Sequence, residues 1–174
     1  MAAVPCRPCR QAARVPDLFD RLLLLKKSPM FSKVATDDLR LVAQALEEQT
    51  FFAGDHIFEI NEQGDHLYLL VSGKVGITLD ADAASSNYIS TLGPGDCFGE
   101  MNLLDDLPRS ASAHALEDTT VLSLEKTRLR GLLQSYPEIS IGMLRSLSLR
   151  VREVNNRLLS VTSQLTPDRN RESE

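Results

Sequence analysis

The sequence predicts a mainly β fold, a small sandwich or roll of seven or eight strands with helices at both ends. Between residues 50 and 125, short apolar runs with many β-branched or aromatic residues alternate with turn signals such as Gly54-Asp55. Apolar residues recur at helical spacing before and after this region. A length of 174 residues and a hydrophobic content of 43% suit one globular domain with a helical extension.

Two short helices are expected ahead of the strands. Residues 1–16 carry three arginines and no acidic residue, and we expect a disordered leader there. Residues 17–28 form an amphipathic pattern that is typical of a helix. A second helix is predicted to begin with Thr36 as its N-cap, because the two aspartates that follow would stabilise the first helical turn.

The strands are predicted from seven apolar runs and the turns between them. The runs cover residues 51–52, 56–60, 66–72, 74–79, 88–92, 111–116 and 119–124. Residues 80–87 contain no large apolar side chain and are predicted to form an exposed hairpin loop. Cys97 stands alone in an apolar context, which favours a buried structural thiol, and His114 is expected to be a packed or surface histidine.

Two further helices are predicted after the strands. Residues 126–135 predict a short helix, and a long helix is expected from Glu138 to about Gln164. The apolar positions of the long helix alternate in steps of three and four over three heptads, at Leu144, Leu147, Val151, Val154, Leu158, Val161 and Leu165. Two interpretations are open: a homodimeric coiled coil through residues 144–165, or a helix that packs along its own β-domain.

The segment 93–113 interrupts the strand pattern with groups that suit an anion. Gly99 and Glu100 precede a stretch long enough for one helical turn, whose first amides form an anion seat. Arg109 can close on the same anion in a bidentate fork, and Glu100 can accept hydrogen bonds from hydroxyl groups. Together they describe a site for a phosphate attached to a sugar. The alternative is a surface loop in which Arg109 pairs with a neighbouring aspartate and Glu100 is solvated.

The charge distribution restricts where such a site can lie. The net charge of -5 argues against broad nucleic-acid binding. Residues 41–125 contain 15 acidic residues and only two basic ones, Lys74 and Arg109. An anion site in this part of the chain must therefore be small and built around one of those two side chains.

Residues 98–111 match the pattern F-G-E-x-x-L-(L/I)-x-x-x-P-R-(S/A/T)-A. The defining positions are met by Phe98, Gly99, Glu100, Leu103, Leu104, Pro108, Arg109, Ser110 and Ala111. This pattern resembles the phosphate-binding cassette of cyclic nucleotide-binding domains. The similarity to that family covers roughly residues 22–160 and includes, upstream, Gly54, Ile57, Gly64, Asp65, Tyr68, Gly73 and Val75.

The resemblance implies an eight-stranded double-stranded β-helix, which is a jelly-roll-like β-roll, with N-terminal helices and a long C-terminal helix. It implies that Arg109 pairs with the cyclic phosphate and that Glu100 binds the ribose 2′-hydroxyl. The hydroxyl of Ser110 and the amides of Gly99 and Ala111 would complete the cradle. The expected ligand is cAMP, with cGMP as the less favoured choice.

The rest of the expected ligand site follows from the same resemblance. Similarity to catabolite-activator-type regulators aligns Arg150 with an arginine that can reach the cassette glutamate, and it places Val154 and Asn155 near the base. Phe98 and Met101 complete the expected set of ligand-binding residues. The expected divisions of the chain are a leader (1–16), a cyclic nucleotide-binding β-roll with flanking helices (17–135), a lid or dimerisation helix (136–165) and a disordered tail (166–174).

Three features depart from the family pattern. Asn61 stands where many members have glycine, but asparagine tolerates a left-handed backbone, so the turn can survive. Asn102 replaces a usual small residue, and both a ligand contact and a solvent-facing side chain are open. No aromatic residue follows Tyr136, so the cap over the base must be aliphatic or polar. Ser110 does not decide between cAMP and cGMP.

Other functional classes find little support, and we expect no enzyme, cofactor or metal. The three histidines are scattered, and Cys6 and Cys9 have no second pair of ligands at metal spacing. Too few residues follow position 165 for a DNA recognition helix, so direct nucleic-acid binding is not expected. No apolar run reaches the length of a membrane span, and three cysteines without a signal peptide favour the cytoplasm.

The sequence thus predicts a regulatory domain that binds a cyclic nucleotide and reports its occupancy by moving the C-terminal helix. One alternative is a β-roll whose cassette is only structural and whose heptad helix mediates assembly. The other is the sensor fragment of a larger regulator or transporter.

Overall fold

The structure is a computed structural model that describes residues 16–79, 88–101, 103 and 106–165. The predicted leader, the loop at 80–87, the tail, the Cys6–Cys9 pair and the two interpretations of Asn102 lie outside the described residues. In chain order the described elements are α1 (Leu18–Lys27), α2 (Thr36–Ala45), β1 (Glu47–Phe51), β2 (His56–Phe58), β3 (His66–Ser72), β4 (Val75–Thr78), β5 (Ser90–Leu92), β6 (Cys97–Phe98), β7 (Ser112–Ala115), β8 (Thr119–Glu125), α3 (Lys126–Ser135) and α4 (Pro137–Leu165).

The eight described strands form two four-stranded antiparallel sheets. Their orders are β1-β8-β3-β6 and β2-β7-β4-β5, so strands that are distant in the chain become neighbours. This mainly β fold with flanking helices is the fold that the sequence predicts.

Strand β3 lies at the centre of the packing. Leu67 and Leu69 face the helices, and Tyr68 and Leu70 face a second cluster that contains Phe58 of the other sheet. A strand covered on both faces has no polar side, which explains its continuous apolar sequence.

The first two helices start differently. Asp17 caps α1 by accepting hydrogen bonds from the amides of Phe19 and Asp20, and Asp20 accepts one from the amide of Asp17. Thr36 was expected to be the N-cap of the second helix, but this prediction is wrong. Ala35 occupies that position with an extended backbone and no side-chain cap, and Thr36 is the first helical residue.

Two strand predictions need correction. Strand β1 begins at Glu47 rather than at residue 51, and it pairs with β8 from Glu47 opposite Ser123 onward. Its side chains are mostly exposed, so it lacks the apolar run on which the prediction rested. The short strand Cys97–Phe98, which pairs with β3, was not predicted because two residues show no periodicity.

The long helix α4 begins one residue before the predicted start, at Pro137. Proline suits the first turn of a helix because the amide that it lacks would have no intrahelical acceptor. The first part of α4 packs tightly: the Lys33 amide donates to Ser146 Oγ at 3.3 Å. Gly142 lies against the backbone of the segment between α1 and α2, and a Cβ added there would be only 2.7 Å from Val34 Cα.

Several apolar side chains of α4 are exposed to solvent. The heptad side chains of Leu144, Val151, Val154 and Leu158 are all exposed. These four side chains are therefore not buried against the β-domain. No helix in the described part of the chain combines the length and the apolar character that a membrane span requires.

Candidate functional site

A cavity of about 200 Å³ lies beside the segment that interrupts the strands. Eight of the ten side chains or backbone positions expected to bind ligand line it, namely Phe98, Gly99, Glu100, Met101, Arg109, Ser110, Ala111 and Arg150. The last of these comes from α4, so the cavity is bounded by both the β-roll and the C-terminal helix.

The guanidinium of Arg109 is buried in the wall of this cavity. The residue is 3% exposed, and its Nη1 and Nη2 atoms donate to the carbonyls of Gly99 at 3.0 Å and His66 at 2.8 Å. Burial lowers the pKa of Arg109, although an arginine remains charged at neutral pH. Arg109 therefore places a buried positive charge in the cavity wall, whereas the alternative interpretation put it in a surface loop.

Two glycines leave room for this guanidinium. A Cβ at Gly64 would collide with Nε and Cζ of Arg109. Gly99 has a φ of +74°, and a Cβ there would lie 2.5 Å from Nη1 of Arg109. Both positions need glycine because the arginine passes directly over their backbones.

The backbone of Arg109 is fixed by the turn at residues 61 and 62. The Arg109 amide donates to the Glu62 carbonyl at 2.8 Å, and the Asn61 amide donates to the Arg109 carbonyl at 2.9 Å. Asn61 has a φ of 68°. The prediction that asparagine would adopt the left-handed conformation and preserve this turn is confirmed.

An aromatic cluster supports the other side of the guanidinium. Arg109 Cζ lies 4.0 Å from the ring centre of Phe58, which is within the range of a cation–π interaction. Tyr68 stacks on Phe98 with ring centres 5.3 Å apart, and Phe58 lies 6.0 Å from both. Phe98 thus acts in the wall of the cavity as part of a packed cluster.

Glu100 connects the cavity to α4. Arg150 Nη1 lies 3.2 Å from Glu100 Oε1, which is the contact that the resemblance implies. The carboxylate is largely buried and the guanidinium is more than half exposed. A single carboxylate thus faces the cavity and holds the helix.

The cassette also contains a helical turn and a hydroxyl group. Met101 and Leu103 have helical conformation, and the Leu103 amide donates to the Glu100 carbonyl at 3.2 Å. Ser110 Oγ donates to Met101 Sδ at 3.7 Å. Leu103 is buried in the core beneath the helices, which anchors this turn.

Asp106 ties the cassette to α3. Its carboxylate accepts two hydrogen bonds from Arg130 Nη2, at 2.8 and 2.7 Å, and it pairs with Lys126. Hydrogen bonding to Lys126, followed by that to Arg130, lowers the pKa of Asp106. Asp106 has a φ of 59°, a conformation that aspartate adopts more readily than most residues.

Two expected ligand residues lie outside the cavity. Val154 is exposed and lines a neighbouring cleft of about 610 Å³ that shares Glu100 and Arg150 with it. Asn155 is exposed and lines a shallow groove along α4 with Val151. A position near a base for either residue stays a prediction.

Four lining residues were not among the expected set: Phe58, Ile77, Leu92 and Cys97. Ile77 lies on β4, and because successive side chains of a strand point to opposite faces, this position in the strand could have pointed to it. Cys97 was expected to be simply buried, but it is half-buried and lines the cavity and the neighbouring cleft. Burial raises the pKa of its thiol.

His114 belongs to a different cluster. It is buried and packs edge-on against His56 with ring centres 4.3 Å apart, so the packed alternative applies. Within the described ranges, no three histidine, cysteine, aspartate or glutamate side chains come together as ligands for a metal ion.

Comparison with known proteins gives the family. The family model described as cyclic nucleotide-binding domain matches residues 48–136. A CRP-like cAMP-activated global transcriptional regulator from Mycobacterium tuberculosis is 32% identical over 146 residues, covering 84% of this chain and 65% of that protein. The cyclic AMP receptor protein of Thermus thermophilus is 34% identical over 131 residues, covering 75% and 61%.

A solved structure supports the same assignment. The N-terminal domain of a transcriptional regulator from Streptomyces coelicolor A3(2) has a TM-score of 0.68 and 28% identity, covering 76% of this chain and 95% of that one. The chain spans less than two thirds of the length of the two relatives above. The family match runs from β1 through α3 and takes in the whole segment 98–111. The chain therefore belongs to the cyclic nucleotide-binding domain family.

Proposed function

We propose that this chain binds cAMP in the cavity of about 200 Å³ and that binding alters the position of α4. The observation that carries the proposal is the buried guanidinium of Arg109 in the same cavity wall as the carboxylate of Glu100. A guanidinium forms strong charge-assisted hydrogen bonds with a phosphate, and a carboxylate accepts hydrogen bonds from sugar hydroxyls. A sugar phosphate satisfies both groups at once.

The neighbouring groups have complementary roles in this proposal. The hydroxyl of Ser110 and the amides of Gly99 and Ala111 donate to the phosphate oxygens. Gly99 allows the close approach of the ligand to the backbone because it carries no side chain. The aromatic cluster behind Arg109 limits the access of water to the ion pair, which strengthens it.

The names of two relatives support cAMP as the proposed ligand. The Mycobacterium tuberculosis relative is described as cAMP-activated, and the Thermus thermophilus relative as a cyclic AMP receptor protein. We extend this ligand to the present chain because its cassette meets each defining position of the family pattern. The proposal covers binding and helix movement, and it does not include transcriptional activation.

The coupling to α4 is proposed to pass through Glu100. A ribose hydroxyl that donates to this carboxylate uses the group that Arg150 contacts at 3.2 Å. Binding of ligand and the position of α4 therefore depend on one shared side chain. Since linkage is reciprocal, any change in α4 that cAMP favours will also change the affinity for cAMP.

The exposed stripe on α4 supports a second copy of the chain as a partner. Val151, Val154 and Leu158 are exposed at heptad spacing, and a coiled coil would bury them. We therefore propose a homodimer through residues 144–165. The alternative function, a β-roll that only mediates assembly, shares this helix but does not bind a nucleotide.

Isothermal titration of the full chain with cAMP and with cGMP tests the function. We expect saturable binding with tighter binding of cAMP, and an affinity loss of at least about tenfold in Arg109→Ala and Glu100→Ala, since each removes a charged hydrogen-bonding partner. Arg128→Ala and Glu117→Ala are matched controls on the surface, and they should bind as the wild type does.

The result also separates the alternatives. Tighter binding of cGMP would change the proposed ligand from cAMP to cGMP and would leave the proposed binding site unchanged. If neither nucleotide binds at millimolar concentration while the protein remains folded and dimeric, the assembly module is the better description.

A further inference from the structure

Met101 is the exposed methionine of the described residues. It is 55% exposed, whereas Met30 and Met143 are 4% and 3% exposed in the core. Its side chain lines the cavity proposed to bind the nucleotide. A thioether at this position is open both to ligand and to small reagents in solution.

The sulfur of Met101 contacts a residue of the proposed phosphate cradle. Ser110 Oγ donates a hydrogen bond to Met101 Sδ at 3.7 Å. A thioether is a weak acceptor, so an anionic phosphate can take over the Ser110 hydroxyl at little cost. The chemical state of the sulfur therefore decides how readily this hydroxyl turns to the ligand.

We propose that Met101 is an oxidation site whose conversion to the sulfoxide lowers the affinity of the cavity for cyclic nucleotide. This inference rests on the proposed function. In the reaction with hydrogen peroxide, the sulfur lone pair forms a bond to one peroxide oxygen and the O–O bond breaks. The sulfide loses two electrons. The other peroxide oxygen keeps its own hydrogen, takes up the proton from the transferred oxygen and leaves as water.

Oxidation acts on binding in two ways. The sulfoxide oxygen is a much stronger hydrogen-bond acceptor than sulfur, so it retains the Ser110 hydroxyl and removes a donor from the phosphate. The same oxygen carries partial negative charge at the cavity wall, which repels an anionic ligand. Both effects oppose the attraction of Arg109.

The neighbouring thiol is a poor competitor for the oxidant. Cys97 lines the same cavity, but burial raises its pKa, so little thiolate forms at neutral pH. Sulfenic acids and disulfides of cysteine are reversed by dithiothreitol, whereas methionine sulfoxide is not and requires methionine sulfoxide reductase. These reagents distinguish the two kinds of oxidation.

The test uses the full chain treated with limited hydrogen peroxide and then with dithiothreitol. Peptide mass spectrometry locates the sulfoxide, and isothermal titration with cAMP measures affinity. Each protein is compared with its own untreated sample. We expect oxidation of Met101 before Met30 and Met143, and an affinity loss of about fivefold, which is the size of one hydrogen bond.

Two variants and two reductases test the role of the sulfur directly. Met101→Leu should lose no affinity on peroxide treatment, because its side chain cannot be oxidised. Ser110→Ala should lose less than the wild type, because the hydroxyl that the sulfoxide would retain is absent. Methionine sulfoxide reductases A and B together should restore the wild-type affinity.

Several outcomes would overturn the inference. Oxidation of Met101 without loss of affinity, or an equal loss in Met101→Leu, would show that the sulfur does not control binding. Preferential oxidation of Met30 or Met143 would contradict the accessibility on which the proposal depends. If the untreated wild type binds neither nucleotide, the proposed function fails and this regulation fails with it.

Discussion

Arg150 on α4 and Glu100 in the cavity wall meet at 3.2 Å, although 50 positions separate them in the chain. Arg150 is more than half exposed, so solvent screens the pair and its contribution is at most about 1 kcal/mol. An ion pair of this strength holds the helix only loosely, and a ligand that binds Glu100 can readily break the pair. The weakness of the pair suits a reversible link between the cavity and α4.

Arg150→Ala should uncouple α4 from the cavity. In the wild type, we expect cAMP to change the hydrogen exchange of residues 150–165, because the ribose and Arg150 share Glu100. The variant should bind cAMP with less than about a fivefold change in affinity, the range of an exposed ion pair, but the exchange of α4 should no longer respond. Arg152→Ala, on the same exposed helix, is the control and should respond as the wild type does. An unchanged response in Arg150→Ala would contradict the link.

Gly64→Ala should displace the Arg109 guanidinium and so weaken the binding of ligand. The added Cβ would collide with the Arg109 guanidinium, which must then shift away from its carbonyl partners. Overpacking of this kind costs about 1–3 kcal/mol, and we expect lower thermal stability together with weaker cAMP binding. Gly93→Ala is the matched control, since a Cβ added there would have no atom of the described part of the chain within 4 Å. Differential scanning calorimetry and titration measure the two effects, and equal behaviour of the two variants would contradict the close approach.

His114 should make the stability of the fold depend on pH. Both ring nitrogens are buried and have no hydrogen-bond partner among the residues that the structure describes. Burial, with a smaller effect from His56, lowers the pKa of His114. The unfolded chain binds a proton more readily than the folded chain. The stabilisation is therefore complete above the unfolded pKa of about 6.5 and is lost as the pH falls toward the folded pKa.

Urea unfolding between pH 5 and pH 8 measures this dependence. We expect His114→Phe to flatten the decrease in stability below about pH 6.5, because phenylalanine has no proton to bind. His66→Gln, which replaces a more accessible histidine that contacts Asp65, is the control and should keep most of the decrease. A wild type whose unfolding free energy does not fall on acidification would disprove the role of His114.

The cassette could be predicted because its chemistry is local. Gly99, Glu100 and Arg109 lie within one short segment, so their spacing in the sequence already indicates one site. The partners of Arg109 could not be predicted in the same way. The His66 carbonyl lies on β3 and the Phe58 ring on β2, which belong to different sheets. Only the packing of the two sheets brings both groups to the guanidinium.

The strand boundaries show a related limit. Strand β3 is buried on both faces, and its apolar run predicted its bounds correctly. Strand β1 is mostly exposed, and its polar residues Glu47 to Thr50 resemble a loop when read alone. Its strand conformation comes from backbone pairing with β8, which leaves little trace in the side-chain pattern.

Dimerisation through α4 is the remaining prediction. The first part of the helix is held by the α1–α2 turn, through Gly142 and Ser146. Beyond it, the heptad side chains of Val151, Val154 and Leu158 are exposed. Because a second copy would bury those side chains, Val151→Asp and Leu158→Asp should each convert a dimer to a monomer in sedimentation equilibrium. Asn156→Asp adds the same charge away from the stripe, and it should remain dimeric. A monomeric wild type would exclude the coiled coil, whereas a dimer that survives both stripe substitutions would place the interface on another surface.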